Sequence, residues 1–312
     1  MRRLMAMVVC VGATGLATAS PVSAAPMSVR VGQASVVQAS HMSPAELRRA
    51  RPLELSAQPP SADPIAQTAY GGPQPAFPIY REGYVPRKDY YRTVGRLYAQ
   101  VSSNLIGTCT ATVVARNVIV TAAHCLFSPT TGHVYSAFLF VPAQYGATEP
   151  HGRWIGQNAY VWKPWLNHPD SSLDYGFLTI LPKHGRSIGR VTGWEGLLAD
   201  SHVKQIRSFG YPGGGMFAAR CNLNSCYQWE CYSPLGAKVM DPSGAFEVGM
   251  GCHGEEGSSG GPWFEIYQGH RYVASNVSTG VRRVGAGHDI NEWGPYYDAN
   301  TVRLLADAKS GK

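Results

Sequence analysis

Gly257-Ser258-Ser259-Gly260-Gly261-Pro262 sets a serine inside a run of glycines, and Thr121-Ala122-Ala123-His124-Cys125 stands far upstream of it. A serine hydroxyl is a poor nucleophile at neutral pH. It needs a base within hydrogen-bond reach, and the base needs a partner that fixes its tautomer. His124 follows the apolar run Val118–Val120, which predicts a strand end facing a cleft. Glycines at 257, 260 and 261 allow positive φ and a close approach by a substrate. Such a turn can aim the N–H groups of Gly257 and Ser259 at one developing oxyanion. Ser258 would point to the other side of the turn.

An acid must orient His124. Asp170, Asp174, Asp200 and Asp241 lie between the two motifs. Asp170 and Asp241 read as turn residues, and Asp200 has no β context. Asp174 leads into Tyr175-Gly176-Phe177-Leu178-Thr179-Ile180, which holds its carboxylate at the edge of a core, so Asp174 is the expected third member. Each residue also has a plainer reading: a structural histidine, a surface turn acid, a Gly/Ser-rich loop. Trp263-Phe264 directly after the glycines argues against a floppy loop.

The elements around these residues are short β-rich runs beginning near Thr93: Gly95–Val101, Ala111–Arg116, Val118–Thr121, Tyr135–Val141, Phe177–Leu181, Gln205–Gly210 and Tyr272–Val277. One helix is predicted after residue 93, from about Thr301 to Lys309 with Asn300 as its cap. Residues 89–312 thus suit an all-β enzyme of two small barrels, with a single large sandwich as the alternative.

Upstream, Arg2 and Arg3 precede an apolar run from Leu4 to Leu16, and Val22-Ser23-Ala24 has the small-x-small form of a signal-peptidase site. Residues 1–24 read as a signal peptide, which makes the protein secreted, extracellular or periplasmic. No apolar stretch is long enough for a stable membrane anchor. Residues 25–88 are rich in Ala, Pro, Ser and Gln and read as a pro-segment or a disordered linker, with Arg87-Lys88 as a processing site. One short helix fits there: Ser43 as cap, Pro44 in the first turn, Glu46 completing a capping box and Pro52 stopping it.

Of seven cysteines, Cys10 leaves with the signal peptide, while Cys109, Cys125, Cys221, Cys226, Cys231 and Cys252 remain. Secretion favours disulfides, and Cys125 can pair with Cys109. A zinc site lacks its close-spaced histidine or second Cys pair, so no metal is expected. Residues 1–88 hold nine Lys/Arg against four Asp/Glu, and residues 89–312 hold 18 against 16. The basic excess therefore sits in the segments expected to be removed, and nucleic-acid binding has no support.

With these motifs in the order His, Asp, Ser, the chain resembles the trypsin/chymotrypsin-fold serine peptidases, closest to their secreted bacterial glutamyl-endopeptidase-like branch. The resemblance covers roughly residues 93–308. It rests on Thr-Ala-Ala-His-Cys, Leu173-Asp174-Tyr175-Gly176 and Ser-Gly-Gly-Pro. It implies two antiparallel six-stranded-type β-barrels with the active site between them and a C-terminal helix. It also implies Ser259 as nucleophile, His124 as base and then acid, and Asp174 as orienting carboxylate, with Gly257 and Ser259 as oxyanion donors. His253, Ser278 and Gly280 would line the substrate site, with Ser278 near Asp174. Cys231–Cys252 and Cys221–Cys226 are the pairings expected for the other cysteines.

The chain departs from the trypsin pattern at two positions. Ser258 replaces the aspartate that a trypsin-like zymogen pairs with its new N-terminus, so activation must come from removing the pro-segment in another way. His253 stands where trypsin carries its pocket aspartate. Glutamate-specific members carry a histidine where this chain has Val277. Glu255 and Glu256 could favour basic substrates, and Arg282 and Arg283 acidic ones, but all four suit solvated surface charge. The expectation is a monomeric serine endopeptidase acting on protein or peptide substrates without metal or organic cofactor. The alternatives are a catalytically silent homologue that binds protein and an esterase, the latter disfavoured by the order of the three residues.

Overall fold

In the computed structural model, residues 28–55, 79–81, 92–201, 205–213, 227–241, 243–252, 256–282 and 289–312 are described. Val118-Ile119-Val120-Thr121, β-branched throughout, forms a fully buried strand. It pairs with Leu105–Ala115 on one side and Gly176–Ile180 on the other. Val94–Ser102, Phe138–Pro142 and Trp154–Trp162 complete the ring, because Trp154–Gly156 returns to Phe138–Phe140 and closes six strands into a barrel. Closure leaves no free edge in this barrel.

Leu105–Ala115 is buried on both faces for a physical reason. Cys109, Ala111 and Val113 join the apolar core, while Thr108, Thr110 and Thr112 alternate with them and are also buried. Thr110 meets the second sheet: its Oγ1 donates to Gly257 O at 2.9 Å and accepts from Tyr211 N at 2.9 Å.

The second sheet runs Gly196–Leu197, His270–Asn276, Pro262–Tyr267, Gln205–Gly210, Trp229–Met240, Phe246–Met250, Asp289–Pro295, Thr279–Arg282, and it curves as a half-barrel. Its own core is Ile206, Val248, Met250, Trp263 and Val277 around the Cys231–Cys252 disulfide. The architecture is the expected two-barrel, mostly β fold with the site between the sheets. The C-terminal helix spans Ala299–Ser310 and is capped by Asp298, whose carboxylate accepts from Asn300 N and Thr301 N. The cap therefore lies two residues before the expected Asn300. Asn300 instead turns its side-chain amide onto Asp298. Two short helices, Lys163–Asn167 and Ile188–Thr192, have no counterpart in the sequence expectation. Each has five residues, too short to show helical periodicity.

The N-terminal segment is more ordered than its composition predicts. Ser28–Gln33 pairs antiparallel with Asn158–Trp162. Helix Pro44–Arg49 has Ser43 as its cap with the complete capping box to Glu46, as expected. It and helix Val36–His41 bury Ala39, Met42 and Leu47 against Tyr98, Ile106 and Leu139 of the barrel. Arg51–Pro52 then runs parallel to Gly107–Thr108, and Leu53 N donates to Thr108 O at 3.0 Å. Residues 28–53 therefore pack on the first barrel through paired strands and buried apolar side chains. Farther on, Ile79–Arg81 pairs with Trp229–Cys231 of the second sheet. Sparse but well-spaced apolar residues were enough to dock this polar segment. No helix among the described residues is long and apolar enough to cross a membrane.

Candidate active site

His124 lies in a 3-10 turn, Ala123–Cys125, at the end of the Val118–Thr121 strand. Cys125 ties this turn to Cys109 on the neighbouring strand through a disulfide. Asp174 follows another 3-10 turn, Ser171–Leu173, whose N-terminus Asp170 caps by accepting from Ser172 N at 2.8 Å. The strand register pairs Thr121 with Gly176, so both turns leave the barrel at the same rim.

There the Asp174 carboxylate holds His124 with both oxygens. Oδ1 accepts from His124 N at 2.9 Å, and Oδ2 lies 2.7 Å from His124 Nδ1. Ser278 Oγ donates to the same Oδ2 at 2.6 Å. Asn276 Nδ2 donates to Asp174 O at 3.2 Å and is itself held by Tyr297, whose hydroxyl donates to Asn276 Oδ1 at 2.7 Å. Asp174 and His124 are buried, at 0% and 1% exposure. A carboxylate at Nδ1 makes that nitrogen the donor and leaves Nε2 as the proton acceptor. Nε2 has no hydrogen-bond partner among the described residues, so the Ser259 hydroxyl is not bonded to it in this geometry. Such contacts are often long before a substrate tightens them.

Ser259 sits across the barrel interface, buried at 7% exposure. Gly257 and Gly260 have φ of 93° and 80°. A Cβ at Gly260 would lie 2.0 Å from Thr121 Oγ1, so only glycine fits between this turn and the strand that leads to His124. Thr110 N donates to Ser259 O at 2.8 Å, and Gly260 N to Val277 O at 2.7 Å, so each sheet grips one side of the turn. The N–H groups of Gly257 and Ser259 donate to no partner among the described residues. Ser258 turns away: its Oγ packs toward Gly210, where an added Cβ would meet it at 2.8 Å.

Gly280 lies on the strand after Ser278, paired with Glu292. His253, Glu255, Arg283, Cys221 and Cys226 lie outside the described residues, as does the expected Cys221–Cys226 pairing. Thr110, Asn276 and Tyr297 had no sequence signal, because a threonine in a strand or an asparagine after one carries no spacing that marks it. The turn acids Asp170 and Asp241 cap their own loops, but both also meet Ser172 Oγ. One hydroxyl hydrogen cannot serve both carboxylates at once, so the two acids compete for Ser172. Burial, then the Asp241 carboxyl, pushes Asp170 up. Burial pushes Asp241 up as well, but hydrogen bonds from Ser172 and Ser243 outweigh it and hold Asp241 below its ordinary range.

Cys109, His124 and Cys125 bring three possible ligand atoms together, but both sulfurs form the disulfide. One ring nitrogen remains, and that does not make a metal site.

A closed six-stranded barrel facing a half-barrel second sheet is the two-barrel, chymotrypsin-like fold. Solved structures agree. The chain is similar to protease Anisep from Arthrobacter nicotinovorans (TM-score 0.58, 22% identity, 72% of this chain and 98% of that one). It is also similar to the thermostable serine protease AL20 from an extremophilic microorganism (0.61, 23%, 72% and 100%). A Glu endopeptidase in complex with MPD gives 0.60 at 19% identity, over 74% and 96%. Among curated proteins, the glutamyl endopeptidase of Bacillus licheniformis is 22% identical over 170 residues, 54% of this chain and 49% of that protein. A protein of Bacillus subtilis (strain 168) called extracellular metalloprotease is 34% identical over 88 residues, 28% of this chain and 26% of that protein. The chain thus spans about a quarter and about half of these two relatives' lengths. No family model matches the sequence.

Proposed function

We propose that the protein is a secreted serine endopeptidase that hydrolyses peptide bonds through an acyl-enzyme. The observation that carries this reading is the 2.7 Å contact between His124 Nδ1 and Asp174 Oδ2, which leaves Nε2 free to accept a proton. In the reaction, Ser259 Oγ attacks the scissile carbonyl carbon and its proton passes to His124 Nε2. The carbonyl oxygen becomes an oxyanion, for which the N–H groups of Gly257 and Ser259 are the proposed donors. Collapse expels the amine, which takes the proton from His124. Water then attacks the acyl-enzyme with His124 again as base, and the carboxylic acid leaves with Ser259 restored. Asp174 keeps its charge throughout and holds the imidazole in the useful tautomer.

Residues 1–24 are proposed as the signal peptide and 25–88 as a pro-segment whose removal accompanies activation. His253, Ser278 and Gly280 are the proposed substrate-lining positions, and the working unit is a monomer. The test is labelling with a serine-directed phosphonate, with Ser259→Ala as control. Labelling of wild type alone supports the reading. Equal labelling of the variant, or none of wild type together with peptide binding, replaces it with another nucleophile or a silent binding module.

A further inference from the structure

Among the groups this mechanism leaves unused, Glu247 occupies the least favourable place for a charge. It lies in the strand Phe246–Met250, is fully buried at 0% exposure, and neither carboxylate oxygen has a hydrogen-bond partner among the described residues. Its strand packs against the Ser171–Leu173 turn that leads to Asp174.

The charged groups that face it are Asp170 and Asp174, on either side of that turn, and Asp241, in the loop before its own strand. Ser171 is the hydroxyl facing it that favours the charged form. Of the neighbouring strands, Asp289–Pro295 places Pro295 opposite Glu247. Trp229–Met240 carries Lys238 opposite Val248 instead, with its ammonium 3.3 Å from the Tyr296 ring centroid. Glu292, on the strand beside it, is paired with Met250 and accepts from Ser208 at 2.9 Å. The charges around Glu247 among the described residues are therefore all negative. An ionised carboxylate buried without a cation, with only the Ser171 hydroxyl facing it, is costly, and neighbouring anions make it costlier.

We propose that Glu247 is a positioning residue for Asp174, acting as a neutral carboxylic acid that lets the Asp170–Asp174 turn rest against the second sheet. The role rests on the serine peptidase reading above. Burial first, then the three aspartates, pushes the Glu247 carboxyl up to about 8. When the proton leaves, the new charge confronts Asp170, Asp241 and Asp174 across the barrel interface. Repulsion then acts on the turn that sets the Asp174 carboxylate under His124.

The experiment is the pH profile of kcat for peptide hydrolysis by the full secreted protein, comparing wild type with Glu247→Gln. Wild type should lose kcat above about pH 8. The glutamine variant, uncharged at every pH, should keep it, so that at about pH 9 its kcat relative to its own maximum is about tenfold higher than that of wild type. Superimposable profiles overturn the proposal. Glu247→Met is uncharged, of similar length, and held to the same profile should the glutamine variant fail to fold. In parallel, the infrared spectrum of wild type should contain a carboxylic-acid carbonyl band that titrates near pH 8, and the absence of such a band also overturns the proposal. The infrared band does not depend on Ser259. Failure of phosphonate labelling with the band present therefore removes the peptidase reading and the positioning role, while leaving the neutral Glu247 established.

Discussion

Ser278 Oγ donates at 2.6 Å to the Asp174 oxygen that faces His124 Nδ1, joining residues 104 positions apart in the chain. Asp174 belongs to the first barrel and Ser278 to the second sheet, so the carboxylate is fixed only when the two are docked. Asn276 adds a second tie from the same stretch, to the Asp174 carbonyl.

Ser278→Ala removes one charge-assisted hydrogen bond worth roughly 1.5–3 kcal/mol. The expected result is a fall in kcat/KM of about tenfold or somewhat more, with the fold retained. Steady-state kinetics with circular dichroism as a folding control checks it. An unchanged kcat/KM would show that Asn276 and His124 hold the carboxylate without help.

Asp174→Asn keeps the size of the side chain but places an amide against Nδ1 and reverses the tautomer of His124. A loss of kcat on the order of 10⁴ is expected, with substrate affinity little changed. A loss of less than about tenfold would mean that another acid orients the imidazole.

Thr110→Val tests a residue outside the three motifs. Valine matches threonine in shape but removes the hydrogen bonds to Gly257 O and Tyr211 N. A stability loss of about 1–3 kcal/mol follows from the unsatisfied buried groups. Activity should fall with it, because the proposed mechanism uses the N–H of Gly257 as an oxyanion donor. A thermal melt equal to wild type would contradict this account.

The disulfide Cys109–Cys125 closes a loop with a sequence separation of 16 residues. Replacing both cysteines by alanine should cost about 3 kcal/mol, by denaturant unfolding under non-reducing conditions. The variant's activity should fall more steeply with temperature than that of wild type, since His124 adjoins Cys125.

Stability should also report on Glu247. Its carboxyl is pushed from 4.5 up to about 8 by burial, so the folded state holds a proton that the unfolded state releases. The stabilisation is fully present below about pH 4.5 and is lost as pH rises through about 8. Thermal melts of Glu247→Gln against wild type across that window should diverge toward high pH, with the variant gaining. Parallel curves would place the proton elsewhere.

Much of this was legible in the residues. The β-branched run before His124, the apolar run after Asp174 and the glycines around Ser259 each act locally, through strand propensity and positive φ, and the structure builds those elements where the runs lie. Ser43 and Glu46 likewise cap their helix through contacts three residues apart. The packing of the N-terminal segment is not legible for the same reason: its polar, proline-rich composition describes the chain alone, whereas Ala39, Met42 and Leu47 gain their burial from barrel residues far along it.

By itself, the sequence determined which side chains could do chemistry, their order and the turns that carry them, because spacing and backbone freedom are local properties. Only the tertiary structure decided that Ser278, Asn276 and Thr110 support them and that Asp170, Asp241 and Glu247 crowd one interface. Those relations arise where two independently patterned sheets meet. Burial there sets the strength of each hydrogen bond and charge, and no local spacing encodes it.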